Sequence, residues 1–481
     1  MRKHKLLSLI LIALLIASAI SVSFAVLPDS HVAQAQPGAV TYVIYATDGW
    51  WTMADGVQIY SYGFIGGRAG GNISYLNKLG GLMTATLPAT ISGGPLSAQE
   101  LLFAGNAQFP APLIYCAQGD LVTIYFKNLG VTQKTAPNDP HTIHLHGLDV
   151  NAANDGVPET SVAAIPANAL LAGAGNVIVY AFTAPSAGTY FYHCHQEASI
   201  HVNMGMYGAL IVYNQGEAGA NSGPGSPGNL FGYNYRKDYV LLLSDTDILQ
   251  HASEQAAQQR GRVFNPVNYK PQYWFINGLS FPNTIHAGLP TFNYGNWLAA
   301  HPGYDALIKG SVGSGDKVLL RMINMGFQTH PMHMHGFHAK VIGSDQRPWT
   351  WAQSTVTGEG LEKNTITIGS GETYELLLDF STVQVASTYD ARTQTRYNPA
   401  SVPPNAPASN TQTGLPVIPD PLLVPPAPYL GGPTIPTGGT GIVGLAGYNS
   451  QIFVFHNHDD YKATNNGVYP GGMFTIIQPM P

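Results

Sequence analysis

Four pairs of histidines with His-x-His spacing stand out in this 481-residue chain: His144/His146, His193/His195, His333/His335 and His456/His458. Alternate side chains of an extended strand share a face, so each pair sends both imidazoles to one side. Two such strands facing two others can surround a group of metal ions. A lone histidine is usually a satisfied structural residue, and His251, His286 and His301 are read that way. Twelve of the seventeen histidines, however, fall in four short clusters, and metal ligation is the reading for those.

A softer donor set overlaps the first clusters. Cys194 stands between His193 and His195, with His201 seven residues later and Met206 five further on. Together with His141 they offer two imidazoles, a thiolate and a thioether. Two His and a Cys in a trigonal plane with a weak axial Met is the blue-copper arrangement, in which soft sulfur selects copper and tunes it for electron transfer. Met204 competes for the axial place. Met206 is preferred because Gly205 lets the loop turn tightly towards the metal. Strand alternation sends Cys194 to one side and His193 and His195 to the other. One residue thereby joins an electron-transfer copper to a second metal cluster through covalent bonds, which suits an enzyme that takes electrons singly and delivers several to one acceptor.

The elements around these residues repeat. Gly119-Asp120, an apolar run Leu121–Phe126, Asn128-Leu129-Gly130 and the cluster His141–His146 recur as Gly315-Asp316, Val318–Ile323, Asn324-Met325-Gly326 and the cluster His330–His335. Each half ends in an aromatic strand carrying its second His-x-His, Tyr190–His195 and Ile452–His458. Two copies of one β domain is the reading. The copies span 36–214 and 237–481, joined by a Gly, Ser, Asn and Pro-rich linker over 215–236. The second copy carries a Pro-rich insertion at about 385–445, read as a surface excursion with a covering role.

Composition agrees with an all-β extracytoplasmic protein. Gly (54), Pro (35) and Tyr (26) are plentiful and charged residues only 10%, which favours short strands and long turns. At 45% hydrophobic the chain can bury a large core. Its net charge of −6 and lack of a basic patch exclude nucleic acid as a partner. Residues 1–35, basic at Arg2, Lys3 and Lys5 and apolar from Leu6 to Ala25, have the order of a secretory signal, with a retained N-terminal anchor as the alternative. Of the two cysteines, Cys194 is read as a metal thiolate and Cys116, in an apolar strand, as a core residue.

The motifs His141-x-x-His144-x-His146-Gly147, His193-Cys194-His195 and Gly205-Met206, with Phe275-Ile276-Asn277-Gly278, resemble the multicopper oxidases, and more narrowly the two-domain, laccase-like branch. The resemblance implies two cupredoxin-like Greek-key β-sandwiches. It implies a blue (type 1) copper on His141, Cys194, His201 and Met206, and a trinuclear type 2/type 3 cluster that reduces dioxygen to water. By position, His144 and His333 match the ligands of the mononuclear member of the cluster. His146, His193, His195, His335, His456 and His458 match those of the coupled pair. About four coppers per chain are expected, with a phenol, aromatic amine or metal ion as donor, entering near His201. Relatives of this type are homotrimers whose cluster lies between domains of neighbouring subunits. Asn457 stands where a second Cys would, so His330 and Met473 are read as remnants of a blue site, and His338 as structural. Asp149 is either a proton donor to reduced oxygen or a turn cap. Glu197 is read as an exposed loop acid. Copper nitrite reductase is the nearest rival, but its motif resembles His-x-x-Asp-x-His without a histidine after the Cys. His144 and His195 depart from it. A non-catalytic blue-copper carrier is the other alternative, and it leaves the remaining histidines without a purpose.

Overall fold

The computed structural model describes residues 37–130, 132, 139–165, 177–285, 288–289, 292–311, 316–349, 361–381, 389–390, 392, 395–396 and 453–480. The leader, most of the Pro-rich insertion and His286 lie outside them.

Two sheets face each other in the first half. One runs, in spatial order, Gln58–Arg68, Ala39–Thr52, Leu121–Gly130, Val177–Thr183, and the other Ile114–Ala117, Tyr207–Tyr213, Gly188–His193, His144–His146. Strand composition explains the packing. In Val177–Thr183 the residues Ile178, Tyr180 and Phe182 are buried while Val179 points out, the period-two pattern of a half-covered strand. Gly188–His193 is instead buried at every position. Its Tyr190 and Tyr192 enter the first core, and Phe191 turns to a second cluster shared with Val240, Leu242 and Ile323 of the other half. The strand carrying His193 is thus gripped on both faces.

The second half repeats the plan. One sheet orders Tyr273–Ile276, Lys237–Thr246, Lys317–Asn324, Thr373–Asp379 and Ala339–Ser344, and the facing sheet orders Ile308–Ser311, Phe474–Met480, Phe453–Asn457, His330–Met334 and Thr365–Ile368. Corresponding pairs keep corresponding registers: His144 lies opposite His193 and His333 opposite His456.

Two findings differ from the sequence reading. The segment read as a linker folds, with a helical turn at Gly219–Ser222 and a hairpin of Gly228–Leu230 with Tyr233–Tyr235. Leu230 and Tyr235, set among its glycines, pack on Leu319, Ile342 and Leu377, and that burial anchors it. A helix also stands at Ile248–Gln259, where no strong apolar period announced one. Asp247 caps its start, accepting from the N–H groups of Leu249 and Gln250, and its buried face is polar: Gln250, His251, Glu254 and Gln258. Among the described residues no helix is long and apolar enough to cross a membrane.

Candidate metal centre

Cys194 ends the strand Gly188–His193 and points into the first core. His141 reaches it from the loop before His144–His146, and His201 from the helical turn Ala198–His201. The three ligand atoms converge: Cys194 Sγ lies 3.3 Å from His201 Nδ1 and 3.8 Å from His141 Nδ1, and the two Nδ1 atoms are 3.3 Å apart. All three residues are fully buried or nearly so. Met206 is buried and its backbone is tied to the same corner, its N–H donating to the His201 carbonyl and its carbonyl accepting from the Cys194 N–H. Met204 is also buried, but its carbonyl accepts from Tyr62 N–H on the neighbouring strand. Between them Gly205 takes a φ of +107°, which the tight turn requires. Burial pushes the Cys194 thiol up, but His201 and His141 more than offset this and bring it to about 6, so the thiolate is favoured.

On the other side of Cys194 the rings of His193 and His195 stack 5.7 Å apart. His144 contacts His193, His195 and His146 with ring centres 5.0, 5.2 and 5.6 Å away. A matching set stands in the second half. His333 lies 4.9 Å from His335 and 5.0 Å from His458, and His335 and His456 bring their Nε2 atoms within 3.3 Å. Among the described residues no ring contact joins the two sets.

Backbone carbonyls fix the rings. Nδ1 of His144, His193, His333 and His456 lies 2.7–3.1 Å from the carbonyls of Asp155, Cys194, Asn364 and Asn457 respectively. A carbonyl only accepts, so Nδ1 carries the proton and Nε2 keeps its lone pair, the arrangement metal-ligating histidines use. Burial brings His146 down to about 4 and His193 to about 3, and lowers His144, His333, His335 and His456. All therefore favour the neutral, ligating form at ordinary pH.

The remaining predicted residues sit as follows. Asp149 is exposed (84%), 3.4 Å from Arg347. Glu197 is exposed with φ +45°, its carboxylate within 4.8 Å of the Asp139 carboxylate and of a ring nitrogen of His201. His338 is exposed. His330 is buried between Asp245, 3.1 Å from Nε2, and Asn457, whose Nδ2 donates to Nδ1 at 3.0 Å. Cys116 is a buried free thiol pushed up to about 12 by burial. His251 sets its Nδ1 2.7 Å from the Tyr60 carbonyl and its Nε2 2.9 Å from the Asn203 carbonyl. Donor entry at His201 does not match the structure, because that imidazole has no solvent-facing edge. Asp139 Oδ1 lies 3.3 Å from its Nε2, and Gln258 of the helix Ile248–Gln259 donates to Asp139 Oδ2 at 2.7 Å.

Asp139 and the helix were missed in the sequence. The first sits two residues before His141 and could have been suspected from proximity. The second is distant in sequence and left no such signal.

Family models described as multicopper oxidase match residues 92–217 and 303–386, one in each half. Laccase-2 of Cryptococcus neoformans var. grubii is 25% identical over 296 residues, 59% of this chain and 41% of that protein. Copper resistance protein A of Escherichia coli is 27% identical over 161 residues, 33% of this chain and 22% of that protein. The chain thus spans well under two thirds of the relatives it matches. A blue copper oxidase structure from Nitrosomonas europaea superimposes with a TM-score of 0.50 at 20% identity, covering 91% of this chain and 85% of that one, and shows the fold to be cupredoxin-like.

Multicopper oxidases carry type 1, type 2 and type 3 copper, about four ions per chain. The residues here fit that cofactor. The first-half corner offers a thiolate and two imidazole nitrogens aimed at one point, as soft copper ligation needs. In His144, His193, His333 and His456 the carbonyl bonds described above leave the lone pair on Nε2. The two matched domains, this donor set and this fold together support a multicopper oxidase.

Proposed function

We propose that the protein oxidises a donor one electron at a time and delivers four electrons to dioxygen, releasing two waters. The observation that carries this reading is Cys194. Its sulfur meets His141 and His201, and its two chain neighbours, His193 and His195, enter the imidazole set on the other side. Bound copper supplies the one-electron couple and the oxygen-reducing centre. His141, Cys194 and His201 would hold the blue copper, with Met206 as the axial ligand. His144 and His333 would hold the mononuclear member of the cluster, and His146, His193, His195, His335, His456 and His458 the coupled pair.

The chain's own contribution is positional. Burial keeps water from Cys194, and the Nδ1–H···O=C bonds hold the rings of His144, His193, His333 and His456 in one tautomer. Asp149, exposed beside Arg347, is the residue to hand protons to reduced oxygen. Four imidazoles in each half, without a described contact between the two sets, support a homotrimer in which the first-domain set of one subunit meets the second-domain set of its neighbour. A phenol, an aromatic amine or a metal ion is the donor. The signal-like leader supports export.

Copper counting with absorption spectroscopy, followed by oxygen uptake and light scattering, tests the reading. About four coppers per chain, a strong blue band, oxygen consumption and a trimeric mass are expected. Fewer coppers with nitrite consumed instead of dioxygen would overturn the oxidase, and a fully copper-loaded monomer would overturn the trimer.

A further inference from the structure

His201 is sealed off from a donor, but a line of rings reaches it. Tyr62 packs on both imidazoles of the first-half corner, its ring centre 5.7 Å from His201 and 6.1 Å from His141. Tyr60 meets Tyr62 edge-on at 5.7 Å, and Trp50 meets Tyr60 at 5.9 Å. Strand geometry dictates the line: Tyr60 and Tyr62 are two apart on one strand and share a face, and Trp50 is the cross-strand partner of Tyr60. Both tyrosines are buried, and Trp50 is half-buried. Each phenol already has a proton acceptor. Tyr62 donates to Glu254 Oε1 at 2.7 Å and Tyr60 to Asp48 Oδ2 at 3.1 Å. A phenol that gives up an electron becomes strongly acidic, so an acceptor in place lets electron and proton leave together.

Trp50 also lines a cavity of about 470 Å³. Phe109, Phe292 and Trp297 give this cavity further aromatic walls, and its described lining includes no Asp or Glu to hold a metal-ion donor. One lining residue, His301, holds a buried polar atom that is unspent. His301 is 5% exposed, and its Nδ1 lies 2.9 Å from the Trp297 carbonyl. Nδ1 therefore carries the proton and Nε2 is an acceptor, one without a hydrogen bond among the described residues. Leaving such an atom bare is costly, and a phenolic hydroxyl would satisfy it while its ring fills the aromatic space.

We propose that this cavity binds a neutral phenolic donor and that its electrons reach the first-domain copper site through Trp50, Tyr60 and Tyr62. The proposal rests on the blue-copper reading above. The donor loses one electron and its hydroxyl proton and leaves as a phenoxyl radical. The proton passes to His301 Nε2 and then to solvent. Trp50, Tyr60 and Tyr62 each give one electron onward and receive one back, ending unchanged. The Tyr60 proton moves to Asp48 and the Tyr62 proton to Glu254, and each returns. Copper held by His141, Cys194 and His201 would supply the one-electron acceptor at the end of the line.

Catechol is a suitable probe. In the copper-free chain it should quench tryptophan fluorescence saturably, and His301→Leu should weaken that binding roughly tenfold. In the copper-loaded chain without oxygen, Trp50→Leu and the ring-preserving Tyr62→Phe should each slow bleaching of the blue band by catechol roughly tenfold or more. The band itself, and its bleaching by dithionite, should be unchanged in both variants. Unchanged catechol rates in both variants overturn the relay, as does slowing by Asp139→Asn alone, which would place entry at His201. Absence of catechol binding to the copper-free chain overturns the cavity. A chain that binds catechol but never develops a blue band overturns the copper reading instead, so the two failures are told apart.

Discussion

The two halves of the molecule build the same corner twice and use it in opposite ways. In the first half His141, Cys194 and His201 aim three ligand atoms at one another's centre, and Met206 sits in the returning loop. In the second half His330, Asn457 and Met473 occupy the matching places, but their polar atoms are spent on each other. Asn457 Nδ2 donates to His330 Nδ1 at 3.0 Å and approaches Met473 Sδ at 3.4 Å, and its Oδ1 accepts from Asp459 N–H at 3.0 Å. His330 Nε2 faces Asp245 at 3.1 Å. A metal corner keeps its donors converging, whereas a structural corner pairs them off. The fold supplies the scaffold for both, and Cys194 or Asn457 decides which it becomes.

The sharpest way to break this contrast is Cys194→Ser. A hydroxyl is a poor, hard ligand for copper in this geometry. The blue band should vanish, donor oxidation should stop, and the copper count should fall by about one per chain, leaving the imidazole-held ions. Absorption and metal analysis on the purified variant check this. A surviving blue band would mean that the first corner is not the electron-transfer site.

Asp245→Ala tests the other corner. The Asp245 carboxylate is buried and accepts from Phe327 N–H and Gln328 N–H at 3.2 and 3.1 Å, from Tyr269, and from His330. Its removal strands several buried donors, which should cost about 3 kcal/mol. Thermal unfolding should register this while the blue band keeps its position and intensity. Loss of the band would show that the two corners are coupled rather than separate.

The difference between these corners was partly legible in the sequence. Cys194 between two histidines, and Asn457 in the equivalent slot, announce it directly, because spacing along a strand fixes which face each side chain takes. The two-sandwich plan was legible for the same reason: the repeated turn, strand and histidine order needs only local pattern. What pairs with those residues from afar was not. Asp245 lies 85 residues before His330, and nothing short-range marks it as that imidazole's partner. The alignment of Trp50 with Tyr60 depends on cross-strand register, which a single strand does not encode. The helix Ile248–Gln259 carries polar residues on its buried face, so an apolar periodicity could not reveal that it covers His201.

Asn457→Cys sharpens the comparison most finely, since it restores the missing sulfur and nothing else. The variant loses the amide's bonds to His330 and Asp459, which should cost about 1–2 kcal/mol. If a thiolate alone made a blue site, copper-loaded protein would gain a second blue chromophore. The structure argues otherwise. The corner offers one imidazole, His330, and holds it by its far nitrogen to Asp245, with no second histidine described beside Asn457 where His201 stands beside Cys194. Blue absorbance per chain should therefore stay at the wild-type value, even where total bound copper rises. A doubling of that absorbance would show that the second imidazole, rather than the sulfur, is the dispensable part of the first corner.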